Sequence, residues 1–200
     1  MTQTKIILAS NSKTRARMLK DAGLDVDILA ANIDEAEIKY SLLQDGAPAD
    51  QIAIILAEMK AANVSRRCEC DLILAADQIL SLGGELLSKA SNRGEAQAIL
   101  KKLSGKKHEL ISAAVIMENG NTIWHDTQKA TLDVRDLSDD FISQYLDALG
   151  DDAFWSVGCY QLEGLGAQLF NSVKGDYYTV LGLPLLPIFK FLRDRGDMPK

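Results

Sequence analysis

The sequence predicts an α/β fold on a mixed sheet, from three observations. Short apolar runs alternate with segments of helical period, helices of crossover length separate the early strands, and Glu118-Asn119-Gly120-Asn121 is a hairpin signal between two later strands. In chain order, Ile6-Ile7-Leu8-Ala9 predicts a buried strand within 5–10. From Ser12 a helix runs over 12–22, with Met18 and Leu19 inward and Gly23 just past its end. A strand near 25–30 follows. The acidic stretch 32–50, with Asp34, Glu35, Glu37, Asp45 and Asp50, is either a mobile flap or a solvated loop. Pro48 precedes a long helix over 49–66, and the apolar run after it predicts a strand over 71–80 that ends at a Gly83-Gly84 turn. Next come a helix over 92–103 closed by Gly105, hairpin strands over 108–117 and 121–134, and a helix to 149 opened by Ser138-Asp139-Asp140. Gly158, Gly164 and Gly166 punctuate a loop-and-strand region, and Pro184 starts a terminal helix to 194. No linker, repeat or low-complexity run interrupts the pattern, so a single domain over 1–200 is expected.

A chain of 200 residues can bury roughly 70% of its unfolded surface, enough for a full core. Its apolar fraction of 47% and charged fraction of 25% are ordinary for a globular protein and select no function. A net charge of −6 argues against a broad nucleic-acid or anionic-membrane surface, so any phosphate site must gather its own cations. The first ten residues lack a cleavable signal pattern, and no run approaches the roughly 18 apolar residues of a membrane span; a cytoplasmic location is expected. Cys68, Cys70 and Cys159 form no disulfide framework, and Cys68-Glu69-Cys70 lacks zinc-knuckle spacing, with His108 and His125 far off in sequence.

Chemistry concentrates at a few places. The corner after the first strand carries Ser10, Ser12 and Arg15 beside helix N–H groups that have no intrahelical partner, which suits a phosphate chain; the plain alternative is that the serines cap the helix. Asp77-Gln78 interrupts an apolar strand, where a carboxylate must be paired, metal-bound or open to a cleft; the plain alternative is a structural carboxylate that satisfies a neighbouring backbone turn. Lys60 and Lys89 are candidate cations, although most lysines are solvated surface charges. The glycines at 158, 164 and 166 do not form a dinucleotide fingerprint, and no P-loop is present. Asp176 is either a ligand-orienting group or a turn carboxylate.

Taken together, these strings resemble the Maf family of nucleotide pyrophosphatases, once named septum-formation inhibitors. The likeness runs nearly end to end: Ile7-Leu8-Ala9-Ser10-x-Ser12-x-x-Arg15, Asp34-Glu35, Leu56-Ala57-x-x-Lys60-Ala61, Ala76-Asp77, Leu103-Ser104-Gly105-x-x-His108, and Gly175-Asp176-Tyr177 with Val180-x-Gly182-Leu183-Pro184. The resemblance implies a two-lobed fold with an elongated mixed sheet and a central cleft, commonly as a homodimer. It also implies hydrolysis of a nucleoside triphosphate to monophosphate and pyrophosphate with Mg²⁺, Mn²⁺ or Co²⁺. Carried over residue by residue, it makes Asp77 the proton acceptor and a metal ligand, Glu35 an acidic group near the metal, and Ser10, Ser12, Arg15, Lys60 and Lys89 the phosphate-holding set.

Departures from the family pattern bear on the base. The pyrimidine-triphosphate branch has a second Arg where this chain has Thr14, Thr where it has Gln78, and Lys where it has Ser156. Gln78 with Glu163 looks like the branch associated with 7-methyl-GTP; a carboxylate can accept two N–H bonds from a guanine edge and complements a cationic methylated ring. The alternatives are the dTTP and UTP activity of the sister branch and a non-catalytic nucleotide-binding regulator of cell division. Lys13 and Ala90 stand where the family usually has Pro, which alters loop rigidity without removing a charge.

Overall fold

The computed structural model describes residues 4–68 and 72–199. Strand β3 (Leu72–Leu82) is the axis of a seven-stranded mixed sheet in which the path runs β2-β1-β3-β5-β6-β7 and β4 branches from β3. β1 (Ile6–Leu8) is parallel to β3 and to the two-residue β2 (Asp27–Ile28). β4 (Glu85–Leu87) folds back antiparallel on β3 through the Gly83-Gly84 turn. β5 (Lys107–Glu118) and β6 (Asn121–Val134) form the long hairpin, whose Asn119 and Gly120 both hold positive φ, at 50° and 78°, as a tight turn matched to strand twist requires. β7 (Phe170–Lys174) closes the far edge against β6.

Alternation along β3 sorts the core onto two faces. One face, carrying Ile73, Ala75 and Ile79, lies under α3 (Ala49–Ser65), whose Ala53, Ala57 and Ala61 allow a close approach to the sheet. On the opposite face Leu72, Leu74 and Ala76 pack with α1 (Lys13–Asp21) and α7 (Leu185–Arg195). Leu80 on that same face belongs instead to a core with α4 (Arg93–Leu103) and α5 (Asp139–Leu149). The two cores are two lobes on one sheet. Between them runs a polar row, Asp77 opposite Ala113 and Gln78 opposite Ser112, flanked by Ala76–Ala114 and Ile79–Ile111.

Several elements differ from expectation. The stretch 32–50 is not a structureless loop: it contains α2 (Glu35–Gln44), capped by Asp34, whose carboxylate accepts the Glu37 N–H at 3.0 Å. Its Ile38 and Leu42 pack against the core that includes Ile52 and Ile79, an apolar spacing of four that the surrounding acids obscure in the sequence. Only Asp27–Ile28 of the segment 25–30 is strand. Residues 157–159 and 165–169 form short 3-10 turns and the strand lies after them, while Asp176 caps the one-turn α6 (Tyr177–Val180) by accepting the Thr179 N–H at 2.9 Å, its turn-carboxylate alternative. Cys70 lies outside the described residues; Cys68 donates to the Val64 carbonyl at 3.4 Å, and Cys159 is buried. Among the described residues no helix is long and apolar enough to cross a membrane.

His108, buried on β5, shares a 2.6 Å hydrogen bond with the Tyr160 hydroxyl, and burial pushes its pKa down to about 4. The folded state therefore keeps the ring neutral while an unfolded chain protonates it near 6.5, so this group removes stability as pH falls from 6.5 to about 4 and no more below that. The loss is about 3 kcal/mol. Thermal melts between pH 7 and 4.5 should show His108→Gln losing less stability over this range than the wild type.

Candidate active site

The site is built around an interruption in the sheet. β5 covers one edge of β3 from Ile73 to Ser81. On the other edge β1 pairs with β3 only as far as Leu74, and β4 begins at Leu80, so Ala75–Ile79 have no strand partner there. The corner leading into α1 borders the gap. Ser12 accepts the Arg15 N–H at 3.3 Å and is the helix cap, and Ser10 Oγ accepts the Ser12 N–H at 3.1 Å. The capping alternative thus describes Ser12 locally, and both hydroxyl protons remain available as donors. Arg15 spans the gap, donating from Nη1 to the Ala76 carbonyl at 2.9 Å and from Nε to the Gly182 carbonyl at 2.7 Å. Gly182 has φ +92°, and a β-carbon there would lie 3.3 Å from the guanidinium, so this position requires glycine.

On the α3 face of the gap, Lys60 Nζ donates to Asp77 Oδ1 at 2.6 Å and lies 3.0 Å from Glu35 Oε1. Lys60 is 7% and Asp77 5% exposed, whereas Glu35, in the first turn of α2, remains half open to solvent. The α3 spacing Ala57, Lys60, Ala61, Val64 puts the lysine on the helix face that lies on the sheet. Burial raises the Asp77 pKa above the ordinary carboxylate value; Lys60 and then Arg15 oppose that shift, and Glu35 adds to it. The two carboxylates converge on one ammonium, close enough to share one cation. Among the described residues no group of three or more His, Cys, Asp or Glu could hold a metal ion. A divalent ion here would take Glu35 and Asp77 together with ligand and water oxygens, a donor set that suits Mg²⁺.

On the opposite face lies a shallow, open pocket lined by Thr14, Gln78, Tyr160, Gln161 and Glu163, among others. Gln78 Nε2 donates to Ser112 Oγ at 3.0 Å and to the Thr179 and Val180 carbonyls at 3.1 and 3.0 Å. Those carbonyls force the nitrogen to their side and turn Oε1 toward Gly182. Glu163 is 3.6 Å from Arg17 Nη2, and Lys13 lies 5.5 Å from the Trp155 ring centroid, so α1 also clamps the loop that bears the pocket wall.

The fold therefore gathers Ser10, Arg15, Glu35, Lys60 and Asp77 at the gap, and Thr14, Gln78 and Glu163 at the pocket. Lys89 follows β4 at the rim. Its ammonium is held below the ordinary lysine value, first by lost hydration and then by Arg15, while Glu35 and Asp77 act the other way. Two cations escaped the sequence reasoning: Arg17, and Lys39 on α2, which points to the end of β4. Lys39 is four residues after Glu35, a spacing that shares a face only if the segment is helical.

These groups define an α/β protein whose cleft collects cations and a buried acid around a gap in the sheet edge. The chain belongs to the Maf family: the family of Maf-like proteins matches residues 5–195. A protein from Paramagnetospirillum magneticum named nucleoside triphosphate pyrophosphatase is 44% identical over 96% of this chain and 99% of its own length. A Brucella abortus protein named 7-methyl-GTP pyrophosphatase is 43% identical over 94% of this chain and 95% of its own. The solved Ham1 protein of Coxiella burnetii is 17% identical with a TM-score of 0.43, over 66% of this chain and 73% of that one.

Titration of the Asp77 carboxyl by NMR, without divalent ions, should give a pKa above the ordinary Asp range. Lys60→Met removes the favourable charge and should move it higher, and Glu35→Gln removes a like charge and should move it lower.

Proposed function

We propose that the protein hydrolyses a nucleoside triphosphate to the monophosphate and pyrophosphate, with 7-methyl-GTP or a related guanine-type nucleotide as substrate. The observation that carries the proposal is the buried Asp77 carboxylate, held by Lys60 beside a gap that Arg15 spans. Family membership and the names of the relatives support the reaction class. Gln78 and Glu163 at one pocket support the choice of base.

In this mechanism Asp77 accepts a proton from water, the water oxygen bonds to the α-phosphorus, and the bond from that phosphorus to the bridging oxygen breaks. Pyrophosphate leaves with the electron pair. Ser10, Ser12, Arg15 and Lys89 neutralise and orient the phosphates, and Lys60 holds Asp77 in its ionised form. A divalent cation, Mg²⁺ or else Mn²⁺ or Co²⁺, would be held by Glu35 and Asp77 and would supply charge neutralisation and acidify the water. In the pocket Gln78 Oε1 and the Glu163 carboxylate accept from a guanine edge, and a uracil edge offers two acceptors that they repel. The proposal also takes the protein as a cytoplasmic homodimer, as the family resemblance implies, and as one without nucleic-acid or membrane partners, for which the net charge of −6 is the support.

Anion-exchange analysis after incubation with Mg²⁺ should show monophosphate plus pyrophosphate; orthophosphate alone would overturn the reaction. Asp77→Asn should stay folded and bind nucleotide while losing at least roughly 10²-fold in turnover. In a panel of 7-methyl-GTP, GTP, UTP, dTTP and CTP, Glu163→Gln should lower the kcat/KM preference for 7-methyl-GTP over UTP by roughly tenfold.

A further inference from the structure

Lys39 is a cation whose setting the proposed reaction does not use. It lies one helical turn after Glu35 on α2, and its Nζ is 3.4 Å from both the Leu87 carbonyl and Ser88 Oγ, at the end of β4 and just before Lys89. The residue is half-buried. Among the described residues no carboxylate lies within ion-pair distance of it, so two long bonds to neutral oxygens are its visible partners. A partly dehydrated ammonium in such a setting is under-satisfied and gains most from an anionic oxygen. Lost hydration lowers its pKa and the field of Asp77 opposes that shift, which is consistent with an ammonium facing the same cleft.

The two faces of β3 indicate which part of the substrate it would meet. Gln78 and the pocket are on one face, while Asp77, Lys60, Glu35 and the helix pair α2 and α3 are on the other. A nucleotide with its base beside Gln78 must pass its phosphates through the gap at Arg15 and end on the α2 side. There Lys60 is already engaged by two carboxylates, so beyond Arg15, Lys89 and a divalent ion at Glu35 and Asp77 the terminal phosphates have Lys39 as their further cation.

We propose, resting on the pyrophosphatase reading, that Lys39 binds the terminal phosphates of the substrate and, with Lys89, the departing pyrophosphate, while making no contact with the monophosphate half.

The test measures inorganic pyrophosphate and nucleoside monophosphate affinities by calorimetry, and turnover in parallel, for the wild type and for Lys39→Gln and Lys39→Arg. Lys39→Gln should weaken pyrophosphate binding and raise KM by roughly tenfold, leave monophosphate affinity unchanged, and be largely rescued by Lys39→Arg. Unchanged pyrophosphate affinity overturns the proposal. Equal weakening of both ligands also overturns it, since that pattern belongs to a loosened α2. If the wild type binds pyrophosphate in a Lys39-dependent way but hydrolyses no triphosphate, the phosphate site stands and the enzymatic reading falls. Normal turnover with Lys39-independent pyrophosphate binding does the opposite: the enzyme stands and the Lys39 site falls.

Discussion

A carboxylate in the middle of a central strand needs a cation, and the pairing of Asp77 with Lys60 is the interaction on which the rest of this architecture depends. Desolvating both charges is costly, and a buried ion pair is rarely favourable against an apolar pair of equal volume. Retaining it constrains what surrounds it. α3 must lie close to the sheet, which its alanines permit, and its register must aim Lys60 at β3. Glu35 supplies the second carboxylate from a helix attached through only a few apolar side chains.

The unpaired edge of β3 is the second constraint. Had β1 run two residues farther, its N–H groups would have reached the part of the edge that Arg15 meets instead. Ending the strand at Leu8 and turning at once into a Ser-capped helix leaves a gap with donors on one side. β4 bounds it on the other. The same polar row divides the core on each face, so the cleft between the lobes and the break in the hydrophobic core are one feature.

Helix α1 joins the two ends of the site. Arg15 turns into the gap, Thr14 lines the pocket, and Lys13 and Arg17, one turn apart, hold the loop with Trp155 and Glu163. In the Arg17–Glu163 pair the arginine is exposed and the 3.6 Å separation is long, which leaves the Glu163 carboxylate able to exchange its partner for a ligand.

The sequence by itself determined the long hairpin, the helices at α1, α3, α4, α5 and α7, and the suspicion attached to Asp77, because periodicity, Asn119-Gly120 and a charge in an apolar strand are all local signals. It did not reveal α2, whose apolar stripe is only Ile38 and Leu42 among acids, nor Lys39, which shares a face with Glu35 only once that helix exists. The tertiary structure alone decided that Lys60 meets Asp77, that Glu35 joins the same ammonium, and that Arg17 neutralises Glu163. Each of these joins residues from separate elements, so their distance is set by strand register and helix packing, which no local pattern encodes.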